Sequence, residues 1–156
     1  MEITARDATD TDLREIVRLY EDFAVEQSAL RPLWRESEGI ADPAGGSIAR
    51  LIDADSVTVG TIDDSILGFL ISGNRSLVDG VERVGVIRYI YTEPGARGVG
   101  LADEMFGYAV AKLRTSGVEL FDAIVSPGHR EAKNFYEAHG FSARSIVMHS
   151  SDPMAE

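Results

Sequence analysis

Leu13, Ile16, Val17, Tyr20, Phe23 and Ala24 recur at helical spacing, one apolar stripe that predicts a helix of about four turns. Thr9 is placed as its N-cap, with Asp12 three residues on as an imperfect capping box. Residues 2–6 before it read as a short strand. From Gln27 to Gly46 the pattern lapses, broken by Pro32, Gly39, Pro43, Gly45 and Gly46 around the single tryptophan, Trp34. A second helix is expected over residues 47–55. At Val57 the period changes to two: Val57, Val59 and Thr61 form a strand, turned by Asp63-Asp64-Ser65 into another over residues 66–73. Asp79-Gly80 is a hairpin signal that leads into a third strand of this meander over residues 83–91. A glycine turn follows, then a helix carrying Leu101, Met105, Phe106, Ala109, Val110 and Leu113, with Gly117 where a C-cap glycine belongs. A strand over 120–125, a short helix over 131–139 stopped by Gly140, and a last strand over 141–148 complete the chain. The order β-α-α-β-β-β-α-β-α-β describes a mixed α/β (α+β) domain, and 156 residues predict a single domain over 1–156.

Composition narrows the partners. Fifteen Lys and Arg against 26 Asp and Glu give a formal charge of −11, which repels phosphate backbones and argues against nucleic acid. The absence of cysteine excludes disulfides, thiolate catalysis and Cys-based zinc sites, and no metal is expected. No apolar signal core and no membrane-length apolar window are present, so the expectation is a cytoplasmic protein with no membrane partner.

The junction of the fourth strand with the long helix carries chemistry. Backbone N–H groups in a helix's first turn lack internal partners, and the helix dipole makes that end electropositive. A diphosphate can accept several such bonds if no side chain blocks its approach. Arg97-Gly98-Val99-Gly100-Leu101-Ala102 meets these needs, with Arg97 as a charged donor. A bare glycine turn without a ligand fits about as well on spacing alone. A dinucleotide fingerprint would need glycine at Asp103, and a P-loop would need Lys-Ser or Lys-Thr at Leu101-Ala102, so both are rejected.

These residues resemble the R/Q-x-x-G-x-G/A signature of the GNAT superfamily of acyl-CoA-dependent N-acetyltransferases, and Pro94 sits where that family commonly has proline. Ala132-Lys133-Asn134-Phe135-Tyr136-Glu137-Ala138-His139-Gly140-Phe141 resembles the family's A-x-x-x-Y-x-x-x-G-F segment. By itself that segment is an apolar helix face, and a lone helical tyrosine is usually core. The likeness implies a central, mostly antiparallel mixed sheet of about six to seven strands with helices on both faces. It implies acetyl-CoA as co-substrate, held by Arg97, Gly98, Val99, Gly100, Leu101 and Ala102 and by backbone pairing to Ile90, Tyr91 and Thr92. It also implies Tyr136 as the general acid that protonates the departing thiolate, a reasonable exchange between a phenol of pKa about 10 and a thiol of about 8.5. Where the family often has an asparagine on the pantetheine arm, this chain has His129. Arg130 and Lys133 are cations that could meet CoA phosphates. Relatives are often dimers, which makes a homodimer possible by analogy.

The general base is not legible. Some relatives use a glutamate at the position held here by Val86, and Arg88 cannot take a proton. Glu26, Glu36, Glu38, Tyr89, Tyr91 and His149 have no spacing argument, and none is nominated. The segment from Gln27 to Gly46 is expected to wall the acceptor side; Leu33-Trp34 lines a pocket there or, more often for a lone tryptophan, Trp34 plugs a core edge. Arg88 could pair with a substrate carboxylate, which would suit an amino acid or peptide. The expected function is acetyl transfer to a small-molecule or peptide amine, with a non-catalytic acyl-CoA-binding regulatory module as the alternative.

Overall fold

The structure is a computed structural model that describes residues 1–155. Strand β1 (Ile3–Asp7) leads through a 3-10 turn (Asp10–Asp12) into helix α1 (Leu13–Leu30). Thr9 and Asp12 form a capping box, but on the 3-10 turn; the N-cap of α1 itself is Asp12, three residues later than expected. The Arg6 guanidinium donates to both Asp12 oxygens, at 2.7 and 3.1 Å, and holds that carboxyl below its ordinary range. Helix α1 runs 18 residues, a turn longer than expected, because Gln27 continues its buried face after Phe23 and Ala24. The segment expected to be irregular contains α2 (Trp34–Glu38), and α3 (Ala44–Asp53) begins three residues early, across Gly45 and Gly46. Burial of Ala44, Ser47, Ile48 and Ile52 on one side of α3 outweighs the helix cost of the two glycines.

The remaining elements are β2 (Val57–Ile62), β3 (Ser65–Ser76), β4 (Arg83–Thr92), α4 (Leu101–Thr115), β5 (Leu120–Ala123) and α5 (Arg130–Ala138). They form one sheet in the order β1-β2-β3-β4-β5, with β5 parallel to β4 and the other neighbours antiparallel. Five strands are present among the described residues, where six to seven were expected. The predicted last strand over 141–148 does not form: these residues follow α5 outside the sheet, with Ile146, Val147 and Met148 exposed. Strand preference reflects packing on neighbours more than an intrinsic backbone choice, and although β5 ends the sheet with an unpaired side, residues 141–148 form no ladder with it. Arg144 is instead tied to the Asp122 carboxylate. No helix among the described residues is long and apolar enough to cross a membrane.

Alternation on the central strands builds two cores. Phe69, Ile71, Tyr89 and Tyr91 pack against α1, α2 and α3, while Leu70, Ile87 and, partly, Ile90 pack against α4 and α5. Trp34 closes the first core, edge-on to Phe23, and also lines a cavity described below, whereas Leu33 is exposed. Strict alternation would put Ile87 and Tyr89 on one face, yet they lie in different cores. The ladder explains this: Ile71 pairs with Tyr89 but Ser72 pairs with Ile87, which leaves Arg88 as the extra residue of a β-bulge. Pairing of β4 with β5 ends at Ile87 and Ala123. Beyond it, residues 88–92 of β4 present an edge with no strand beside it, and the site opens there.

Candidate functional site

The free end of β4, the glycine turn and the start of α4 enclose a cavity of about 380 Å³. Ile90, Tyr91, Thr92, Arg97, Gly98, Gly100, Leu101, Ala102 and His129 line it, nine of the residues singled out from the sequence. Gly98 and Gly100 hold φ of +83° and +94°, left-handed backbone that favours glycine. An added Cβ at either would meet nothing within 4 Å, so their open side is the cavity itself. No side chain caps α4, and its first amides are left free.

Side-chain charge alone does not favour an anion here. Glu26, Asp103 and Glu131 line the cavity with a single guanidinium, Arg97. Arg97 is already engaged: its Nε donates to the Thr92 carbonyl at 2.8 Å, and Nη2 donates to Glu26 at 3.0 Å. Asp103 is held by His139, at 2.9 Å. Attraction for a diphosphate therefore rests on main-chain amides and the helix end. One polar atom supports a ligand on this wall. Thr92 Oγ1 is buried and has no hydrogen-bond partner, an uncommon state for a hydroxyl in a native structure.

A second, smaller cavity of about 100 Å³ adjoins the first, and Ile90, His129 and Ala132 line both. Tyr136 is on its wall. The ring packs edge-on or tilted against Phe106, Phe135 and Phe141, and burial alone pushes its phenol well above the ordinary value. Such a phenol is protonated at neutral pH, the state a general acid needs.

Sequence reasoning missed Gln27, which fixes His129. Ser126 Oγ donates to Gln27 Oε1 at 2.9 Å, so the Gln27 amide donates to His129 Nδ1 at 3.1 Å. The imidazole proton then sits on Nε2, the atom left for other partners. Gln27 and Ser126 are 99 residues apart, and a glutamine on a helix face carries no signal of such a role. Val99 and Lys133 do not line either cavity; Lys133 pairs with Glu137 at 3.2 Å.

The possible bases separate by place. Glu38 and Tyr89 line the small cavity, Glu26 and Tyr91 the large one, and Glu36 and His149 neither. Burial raises both Tyr89 and Tyr91, which weakens them as proton acceptors at neutral pH.

The mixed five-stranded sheet carries helices on both faces, and a glycine turn opens α4 beside the free end of β4. The acetyltransferase (GNAT) family profile matches residues 12–141, and the chain belongs to that family. No curated protein matches it. Among solved structures, the chain resembles AAC(6')-Iy in complex with the bisubstrate analog CoA-S-monomethyl-acetylneamine, with TM-score 0.72, 19% identity, and 96% of this chain and 97% of that one covered. A transcriptional regulator from Bacillus halodurans gives TM-score 0.75 at 21% identity, covering 96% and 100%. A ribosomal-protein-alanine N-acetyltransferase from Brucella melitensis gives 0.71 at 17%, also covering 96% and 100%.

Proposed function

We propose that this protein transfers the acetyl group of acetyl-CoA to the primary amine of a small molecule or peptide by direct attack. The observation that carries this reading is the contact between the two cavities. One is walled by free main-chain amides and suits the diphosphate and pantetheine; the other holds a protonated, buried Tyr136; Ile90, His129 and Ala132 join them.

On this reading the diphosphate lies at Gly98 to Ala102, and the pantetheine amides pair with the open edge at Ile90–Thr92, as an added strand would. The Thr92 hydroxyl gains the partner it lacks. His129, held by Gln27, donates from Nε2 in place of the amide that relatives use. A neutral amine attacks the thioester carbonyl, forming the N–C bond as the C–S bond breaks. Sulfur takes the bonding pair and a proton from Tyr136; the nitrogen loses one proton to water, and solvent returns one to Tyr136. A protonated alkylamine costs about 4–5 kcal/mol to neutralise at pH 7. Water leads that proton away, since neither buried phenol, Tyr89 or Tyr91, is suited to take it.

The experiment is release of CoA thiol from acetyl-CoA across an amine panel of amino acids, peptides, polyamines and aminoglycosides. Release with at least one amine, cut about 100-fold in Tyr136→Phe, supports transfer. A second reading, a non-catalytic acyl-CoA-binding regulator, is favoured by Val86 in place of a glutamate and by the engagement of Arg97 with Glu26. It would be supported by CoA binding without thiol release for any amine.

A further inference from the structure

The small cavity carries more than Tyr136. Arg88, Tyr89 and Ile90 are consecutive, yet all three line it. Regular alternation would send Arg88 and Tyr89 to opposite faces; the bulge at Arg88 brings both to one opening. Arg88 is the only cation on this wall, and it has no carboxylate partner among the described residues. It is nevertheless held in place. Its Nη2 donates to Tyr89 Oη at 3.0 Å, its guanidinium carbon lies 5.0 Å from the Tyr89 ring centre, and the Tyr89 hydroxyl in turn donates to the Glu38 carbonyl. One of five donors is spent in this way, and the fork remains available for a planar, bidentate anion.

Among the described residues, Glu38 is the only carboxylate on the same wall, and it forms no ion pair with Arg88. Opposite charges facing one cavity of about 100 Å³ without meeting each other suit a compact zwitterion better than a bulky polycation. A polycation would set an ammonium group against Arg88 with only one carboxylate to offset it. Given the acetyl-transfer reading above, we infer that the acceptor is an amine bearing a carboxylate, an amino acid or short peptide, whose carboxylate is bound by Arg88. Its amine then points to the border residues Ile90 and His129, where the thioester arrives. Arg88 sets specificity and takes no part in proton transfer.

The test measures acetyl transfer by wild type and Arg88→Gln to amino acids and dipeptides, to their C-terminal amides, and to aminoglycosides. Loss of a charge-assisted bidentate pair is worth roughly 10- to 100-fold in affinity. In wild type, KM for the acid should therefore be lower than for its amide by that factor. In Arg88→Gln the preference should disappear, with KM for the acid raised to that of its amide. Arg88 is exposed, so this substitution leaves the fold intact. Equal KM for acid and amide, a preference for aminoglycosides, or an acid preference that survives in Arg88→Gln would overturn the inference while leaving acetyl transfer standing. Absence of thiol release with every amine would overturn the transfer reading itself, and this inference with it.

Discussion

Ile87 and Tyr89 are two residues apart on β4, yet Ile87 is buried against α4 and α5 while Tyr89 is buried against α1 and α2. The extra residue between them, Arg88, reverses the alternation of the strand at the point where β5 stops pairing with it. The open β4 edge at Ile90–Thr92 begins beside this bulge, which also sets Arg88 on the wall of the small cavity.

Thr92 provides a test that separates stability from binding. Its Oγ1 is buried without a partner, and an unsatisfied buried polar group costs about 1–3 kcal/mol. Thr92→Val replaces that hydroxyl with a methyl of similar shape. The free protein should melt at the same temperature or higher, whereas CoA affinity should fall roughly 5- to 10-fold as its hydrogen bond is lost. A Thr92→Val protein that is less stable and binds CoA unchanged would show the hydroxyl to be satisfied within the fold. Denaturation curves and calorimetric titration read the two effects.

Tyr136 should leave a signature in the pH profile. Burial raises its pKa above the ordinary phenol value, so it stays protonated as pH rises from 7 to 10 while the acceptor amine loses its proton. The sign is therefore a rising kcat/KM with no falling limb below about pH 10. Tyr136→Phe keeps the ring among Phe106, Phe135 and Phe141, and should lower kcat by about 100-fold with CoA affinity preserved.

Asp12 anchors the entry to α1 and is remote from the chemistry. It accepts from Arg6 and from the Thr9 amide, at 2.7 and 2.8 Å, and these bonds lower its pKa, with Arg6 the largest cause. A depressed carboxylate stabilises the fold above its unfolded pKa of about 4, and that contribution is lost as pH falls through the lower folded value. Asp12→Ala should therefore lose about 2–3 kcal/mol at pH 7. The gap between the two proteins should narrow as pH drops from 4 towards 2, which urea melts at each pH would register. A gap that stays constant would exclude ionisation of Asp12 as its source.

Much of this was legible in the chain because it is local. The stripe from Leu13 to Ala24, the period-two run from Val57 and the glycines at 98 and 100 each follow from short-range patterns. Eight of the residues picked for cofactor binding line one cavity because a strand, a turn and a helix start are continuous in sequence, and His129 joins them from the loop before α5. What stayed hidden is non-local. The Gln27–Ser126–His129 network joins α1 to the loop before α5, and no spacing rule links residues so far apart. The bulge at Arg88 lacks the glycine that marks some bulges, so alternation was carried straight through it. The strand expected at 141–148 failed for a related reason: its residues favour strand, but that preference counts only where side chains pack on neighbours, and Ile146, Val147 and Met148 are exposed.

Everything here depends on main-chain amides at the head of α4 gripping a diphosphate, since three carboxylates on the same wall leave side chains unable to do so unaided. A crystal soaked with CoA answers that directly. Density for the diphosphate within hydrogen-bond reach of the amides of Gly98, Gly100, Leu101 and Ala102 is the expected outcome. CoA bound elsewhere on the molecule, with that turn contacting only solvent or protein, would contradict it.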